Sequence, residues 1–343
     1  MTTEKIKCVV WDLDNTLWHG VLLENDLVSL RDGVTDIIKT LDSRGILHSI
    51  ASKNEYSQAM AQLEAFGLAE YFLYPQINWN SKAQNLDTIA KKINIGIDTL
   101  AFIDDQPFER EEVNFSHADV LCIDAADIDK ILNLPAVNPR FLTEDSSRRR
   151  LMYLSDIERQ NMENNFVGPK EEFMATLNMV LTIAPASVED LKRSEELTVR
   201  TNQLNTTGYT YSYEELNHFR LSEHHILLVA SLDDKYGTYG KIGLTLIECG
   251  IDVWTIKLLL MSCRVMSRGV GSVMINHLRN EARNKGYRLQ AEFIPNDRNR
   301  MMYMTYKFTH FKEKEKINGR VILENDLSQV QKFPAYLTVN IAS

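Results

Sequence analysis

Cysteine is scarce in this chain. Its four cysteines, Cys8, Cys122, Cys249 and Cys263, are scattered over 343 residues with no Cys-x-x-Cys pair. That pattern argues against a disulfide scaffold and a structural zinc site, and it suits a reducing cytoplasm. Positive charge is also in short supply. Lys and Arg total 38 against 47 Asp and Glu, a formal net charge of −9, whereas a nucleic-acid backbone calls for a broad basic face. No nucleic-acid partner is expected. Long apolar runs are missing too. The richest, around residues 226–230 and 256–261, are too short to span a bilayer, so no membrane partner is expected. Met1-Thr2-Thr3-Glu4-Lys5 leads straight into a strand without a signal-peptide pattern, and the expected location is cytoplasmic. No internal repeat or low-complexity tract stands out. What is present is the composition of a soluble globular protein, 44% hydrophobic and 25% charged, in a chain long enough for two domains.

The stretch that organises the chain is Trp11-Asp12-Leu13-Asp14-Asn15-Thr16-Leu17-Trp18, which follows a short apolar strand at residues 6–10. Two aspartates two apart, directly after such a strand, end up at its C-terminal edge, where open parallel α/β sheets bind ligands. Asp and Asn also end strands merely because they favour turns, but further stretches fall in line behind this one. Residues 33–43 have helical periodicity, and a second strand at 46–51 ends at Ser52-Lys53-Asn54, where Ser52 also reads as a cap for a helix over 55–66. Trp79-Asn80-Ser81-Lys82 then opens a helix over 83–92. Thr99-Leu100-Ala101-Phe102-Ile103-Asp104-Asp105 is an apolar strand that ends in two carboxylates, a costly pairing unless metal or hydrogen bonds compensate it.

These four stretches, in this order, resemble the motifs of the haloacid dehalogenase (HAD) superfamily. The resemblance implies that Asp12 is a carboxylate nucleophile forming an aspartyl-phosphate, and that Asp14 is the general acid that protonates the leaving oxygen and then the base that activates water. It makes Ser52 a hydrogen-bond donor to a phosphoryl oxygen and Lys82 the cation that neutralises nucleophile and phosphate. Mg²⁺, a hard ion that takes oxygen ligands, is the implied cofactor, held by Asp12, the Asp14 backbone carbonyl and Asp104, with Asp105 in support. Thr16 and Asn54 are expected beside the substrate. His19, in the flap after the first motif, reads as a solvated loop histidine. The gaps between the motifs are filled by the elements of the bare fold, so the site is expected to lack a large cap and to stay open to bulky substrates or to be closed by the second half of the chain.

Residues 134–139 read as the end of the first domain. The expected division is a HAD-like domain over 1–140, a helical linker over 141–170 and a second domain over 171–343. Arg148-Arg149-Arg150 in the linker reads as a partner-docking or phosphate-anchoring patch with at least one solvated member. Beyond residue 173 the pattern is α+β: helices over 188–200 and 212–218, strands over 225–232, 241–249 and 253–261 with a tight turn at 236–240, a helix over 270–285, a strand over 288–293 and a helix over 299–308. This order resembles the GNAT acyltransferase fold. Arg268-Gly269-Val270-Gly271 lies where that fold cradles a CoA pyrophosphate on a helix N-terminus, although Met266 occupies a position that carries Gln or Arg in that fold. Asn296, Asn299 and Tyr306 lie where its later motif falls. The fold class expected for the whole chain is therefore α/β: a Rossmann-like parallel sheet without a large cap, followed by a GNAT-like α+β domain.

The first and fourth motifs, the latter extended through Gln106-Pro107-Phe108-Glu109-Arg110, together with Arg200-Thr201-Asn202-Gln203-Leu204-Asn205 and Met261-Ser262-Cys263-Arg264-Val265, resemble the FkbH-like family. That resemblance implies a glyceryl transferase/phosphatase of polyketide-type biosynthesis. Such an enzyme takes D-1,3-bisphosphoglycerate, removes phosphate, and loads the glyceryl unit onto the phosphopantetheine thiol of an acyl carrier protein. Cys263 would carry the glyceryl thioester, with Arg264 beside it. Asn202, Gln203 and Asn205 would orient the glyceryl hydroxyls or the carrier arm, and they also read as a capped helix end. Arg264 and Arg268 are expected at the substrate and carrier. Two alternatives compete with this reading. One is a Mg²⁺-dependent phosphatase whose second half is a binding module; the other is a CoA-dependent acyltransferase with a regulatory HAD domain.

Overall fold

The computed structural model describes residues 6–24 and 27–342, so the start expected at residues 1–5 lies outside the described residues. The chain divides into two compact units, Met1–Leu154 and Ser155–Ser343.

The first unit is built on a five-stranded, wholly parallel sheet. In chain order its elements are β1 (Cys8–Trp11), the flap strands β2 (Trp18–His19) and β3 (Ser29–Leu30), α1 (Val34–Ser43), β4 (Leu47–Ser52), α2 (Tyr56–Ala65), β5 (Gln76–Ile77), α3 (Lys82–Ile93), β6 (Leu100–Asp104), α4 (Pro107–Ser116) and β7 (Leu121–Asp124). The sheet order is β5-β4-β1-β6-β7, with β2 and β3 paired separately as an antiparallel flap. Buried on both faces, β1, β4 and β6 read as apolar runs rather than alternating ones. The chain builds outward from β1 through β4 to β5, then crosses back to begin β6 on the other side. The strand order thus reverses between β1 and β6, the place where such sheets open a crevice. Among the described residues no further domain interrupts the gaps between the motif-bearing strands, as the spacing implies.

Helix starts differ in detail from the sequence reading. Ser52 belongs to β4 and caps nothing: α2 is capped by Glu55, whose carboxylate accepts the Gln58 N–H. Ser81 caps α3. The expected linker resolves into α5 (Glu144–Ser147) and α6 (Arg149–Asn165), and the division between the units falls within α6. Of its three arginines only Arg148 is solvated. Arg149 donates to the Gly45 carbonyl (2.8 Å), and Arg150 bridges Asp42 and Glu70 over the Tyr71 ring. Arg148 is thus the solvated member expected, while Arg149 and Arg150 are spent within the first unit.

The second unit holds α7 (Lys170–Thr176), β8 (Met179–Pro185), α8 (Leu191–Arg200), α9 (Tyr213–Leu221), β9 (His225–Asp234), β10 (Gly237–Cys249), β11 (Val253–Met261), α10 (Val270–Asn284), β12 (Arg288–Phe293), α11 (Arg300–Phe308), β13 (Phe311–Ile317), β14 (Arg320–Asn325) and β15 (Leu337–Ile341). They form one mixed sheet in the order β13-β14-β12-β11-β10-β9-β8-β15. The turn expected at 236–240 is shorter, because β10 already starts at Gly237. β8 and β13–β15 are additions to the expected order. The parallel pair β11 and β12 matches only from Val253↔Arg288 to Ile256↔Ala291, so the rest of β11 has no ladder partner on that side.

Candidate active site

The residues singled out at the ends of β1, β4 and β6 come together. Asp12, one residue beyond β1, is tied to β6 by its backbone N–H, which donates to the Ile103 carbonyl at 2.9 Å. Lys82, at the first position of α3, is 3% exposed and points back into the sheet edge. Its ammonium donates to Asp12 Oδ1 (2.5 Å) and to the Ala51 carbonyl (2.9 Å), and pairs with Asp104 Oδ2 (3.0 Å). Burial works against the Lys82 charge, but Asp12 and Asp104 outweigh it and hold its pKa above the usual lysine value. Burial and then the Asp12 charge push the Asp104 carboxyl up to about 6 against the pull of Lys82, and the same two causes raise Asp105. Ser52 is buried at the tip of β4.

Three carboxylates, those of Asp12, Asp104 and Asp105, offer oxygens all within 4.8 Å of one another. Asp105 Oδ1 is buried and makes no hydrogen bond to another residue. Like charges gathered in a buried crevice, with one lysine among them and an oxygen left over, fit a hard divalent cation by both charge and donor type.

Asp14 is held differently. Its Oδ1 accepts the Trp18 indole N–H (2.8 Å) and the Leu22 N–H (3.1 Å), and its Oδ2 accepts the Asn54 amide (3.0 Å). Burial nonetheless raises its pKa, more than these hydrogen bonds lower it. Asn54 is 1% exposed and spent on Asp14 and on the Glu55 N–H, so it is not a free substrate contact. Thr16 is fully buried and its hydroxyl accepts the Asp105 N–H (3.0 Å). It ties the first motif to the fourth rather than meeting a ligand. His19 is exposed, as expected of a loop histidine.

Two arginines with no assigned role brace the site. Arg31 donates to the carbonyls of Thr16 (3.0 Å) and Asn15 (2.5 Å) and so pins the base of the flap. Arg110 donates to the Asp104 carbonyl (2.6 Å) and pairs with Asp124. Only its placement one turn into the helix after the fourth motif signals this in sequence.

In the second unit the predicted residues scatter. Cys263 follows the end of β11, half-buried and free of any disulfide. The Arg264 guanidinium turns to the Tyr239 carbonyl (2.6 Å), and Arg268 is buried against Glu163 (3.1 Å). Asn202 is exposed and Gln203 half-buried. Asn205 is buried, with its amide oxygen accepting the N–H groups of Thr207 and Gly208 and its amide nitrogen donating to the Tyr209 carbonyl. Its polar atoms shape a turn, which corrects the expectation that it orients substrate.

That turn fills the gap where β11 leaves β12. The Met261 N–H donates to the Leu204 carbonyl (2.9 Å), the Thr206 N–H to the Leu259 carbonyl (3.1 Å), the Leu259 N–H to the Thr206 hydroxyl (3.0 Å), and the Ile294 N–H to the Thr206 carbonyl (3.0 Å). Asn299 clamps the insert from behind, donating to the carbonyls of Asn205 and Ile294. At the head of α10, the Tyr336 hydroxyl lies 2.6 Å from where a Cβ on Gly269 would stand. Tyr306 is buried in the core, and burial pushes its phenol pKa up. The residues present therefore do not fit CoA, whose amide arm would need the strand edge that the chain itself covers.

No protein-family model matches the chain. It is similar to human magnesium-dependent phosphatase 1, at 29% identity over 136 residues covering 34% of this chain and 76% of that protein. Among solved structures, the N-terminal part of BF1531 from Bacteroides fragilis, containing a phosphatase domain complexed with Mg, is 29% identical with a TM-score of 0.36; the match covers 39% of this chain and 41% of that one. The ribosomal-protein-S18-alanine N-acetyltransferase from Escherichia coli is 15% identical with a TM-score of 0.35, over 44% of this chain and 97% of that one.

Proposed function

We propose that the first unit is a Mg²⁺-dependent HAD-type phosphatase. The observation that carries this is the buried cluster of Asp12, Lys82, Asp104 and Asp105 at the strand-order switch, with the Asp14 carboxylate beside it. Similarity to a protein called magnesium-dependent phosphatase 1 supports it. Asp12 attacks phosphorus, the bond to the leaving oxygen breaks, and Asp14 gives that oxygen its proton. Asp14 then takes a proton from water, which hydrolyses the aspartyl-phosphate. Lys82, paired with Asp12, offsets the charge that builds up on the phosphoryl group. Asp12, Asp104, Asp105 and the Asp14 carbonyl would hold Mg²⁺, which when bound shields the phosphoryl oxygens.

Within that class, the FkbH-like resemblance supports a specific substrate, D-1,3-bisphosphoglycerate, and a specific acceptor, a phosphopantetheinylated acyl carrier protein. An acyl phosphate is already activated. The Cys263 sulfur attacks its carbonyl carbon and the bond to the C1 phosphate oxygen breaks; the first unit hydrolyses the remaining 3-phosphate ester to inorganic phosphate, and the glyceryl group passes to the carrier thiol as the Cys263 thiol is released. The closed strand edge of the second unit favours a second reading, in which Ser155–Ser343 is a binding module and carries no acyl group. Intact-mass analysis of enzyme and carrier after adding D-1,3-bisphosphoglycerate decides between them. A glyceryl adduct on the carrier that Cys263→Ala abolishes supports the transferase. Phosphate release with no protein adduct supports the plain phosphatase.

A further inference from the structure

Trp18 has no role in the chemistry above, and sequence alone marks it only as the aromatic that ends the first motif. In the structure it is fully buried, its ring lies 6.2 Å from Phe66, and its indole N–H reaches Asp14 Oδ1 at 2.8 Å. Asn54, from the loop after β4, reaches the other oxygen at 3.0 Å. The amide can point only one way, because its own oxygen accepts the Glu55 N–H at 2.9 Å. The Leu22 N–H, from the flap, is the third donor. Both oxygens of Asp14 are thus gripped by three donors from two chain segments, the flap and the loop after β4, while Asp12, two residues earlier, is gripped by Lys82.

We propose that Trp18 and Asn54 are positioning residues that fix the Asp14 carboxylate where it can pass a proton to the leaving oxygen. The proposal rests on the phosphatase reading. The physical reason is that a free aspartate side chain explores several rotamers, whereas proton transfer needs a heavy-atom approach of about 3 Å. An error of about 1 Å in such a group costs on the order of 10²-fold in rate. Trp18 is suited to the task because its donor is rigid: once the ring is packed, the N–H direction is set.

Leaving-group dependence tests this. An alkyl phosphate departs as an alkoxide that must be protonated, whereas a 4-nitrophenyl phosphate departs as a stable anion. Trp18→Phe and Asn54→Ala should each lower kcat/KM for the alkyl ester about 10²-fold, and at least tenfold less for the aryl ester. Asn54→Ala lies on a loop and keeps the test open if Trp18→Phe folds poorly. Equal losses on both esters, or no loss, would overturn the proposal. If the wild-type protein hydrolyses neither ester, the phosphatase reading fails first. A readout independent of turnover is the Trp18 indole proton in the NMR spectrum of the metal-free protein. It should move upfield in Asp14→Ala, and an unchanged position would remove the hydrogen bond on which the proposal stands.

Discussion

The two units bury charge in opposite ways. In Met1–Leu154 three aspartates of like sign converge on one sheet edge around one lysine. In Ser155–Ser343 the most deeply buried charge is mated. Arg159, fully buried, grips Asp234 with two nitrogens at 2.7 Å, takes Asp156 with a third at 2.8 Å, and lies 3.9 Å over the Tyr239 ring. A mated set closes its own account of hydrogen bonds and needs nothing more to be stable. Converging like charges are costly in the empty protein, and a fold retains such an arrangement where a ligand relieves it. The contrast separates a reactive edge from a polar core without reference to any relative.

The largest break in this comparison is chemical. Asp12→Asn should reduce phosphate release on the order of 10³-fold or more, because the amide cannot act as a nucleophile. Retention of even a tenth of the activity would mean that the cluster is structural. Next comes Lys82→Met. Removing the cation leaves buried carboxylates facing one another, at about 3–5 kcal/mol, or roughly 10 °C in the unfolding midpoint. Because a divalent cation can take over part of that role, Mg²⁺ should raise the variant's midpoint more than the wild type's. A midpoint equally indifferent to Mg²⁺ in both proteins would argue that no ion enters.

How much of this was legible in the sequence follows from the same contrast. The motifs of the first unit are contiguous with the strands that carry them: Asp12 follows β1, Ser52 ends β4 and Asp104 ends β6. Local periodicity therefore placed them at one edge. Lys82 was legible for a related reason, since it opens a helix right after a serine that caps it. Thr16, Asn54 and Trp18 were not, because their partners Asp105 and Asp14 are set by how flap and loop fold back over the edge. In the second unit the same limit is more severe. The run Asn202-Gln203-Leu204-Asn205 is polar, which suggested ligand contacts. Its segment is polar because it must satisfy strand backbone on both sides of a gap, and nothing local announces a gap between two distant strands. The missed strand β13, Phe311–Ile317, is nearly all charged and exposed, as sheet edges often are, so it lacked the apolar alternation that marks a strand.

A smaller effect separates the units by pH. His48, on β4, is fully buried. It accepts the Trp11 indole N–H on Nδ1 (3.0 Å), so Nε2 carries the proton toward the Ile38 carbonyl (3.1 Å). Burial drives its pKa down to about 3. Between pH 6.5 and 3 the unfolded chain therefore holds a proton at this site that the folded one does not. Stability contributed by neutral His48 is full above pH 6.5 and falls as pH drops, by about 1.4 kcal/mol per unit. In His48→Gln the urea-unfolding free energy should fall less steeply with pH by that amount, as followed by the Trp11 environment. An unchanged slope would show that acid attacks elsewhere.

The smallest expected effect is none at all, and it tests the second unit's half of the comparison. Coenzyme A offers an amide-bearing arm and a diphosphate. A strand edge with free backbone groups would take the first, and a bare helix N-terminus the second. Thr206 already joins both strands here: it bonds Leu259 on β11 and Ile294 beyond β12, and Asn299 locks the turn behind it. Lifting residues 204–206 would break several bonds, each worth about 1 kcal/mol net, and expose groups that are now buried. Several kcal/mol lost from binding is a factor of roughly 10² to 10⁴ in affinity. Calorimetric titration of the whole protein with CoA and with acetyl-CoA, each to about 1 mM, should therefore give no saturable heat. Binding at about 10 μM or tighter would show that the insert moves aside, and the second unit would then hold a ligand site in reserve rather than a finished core.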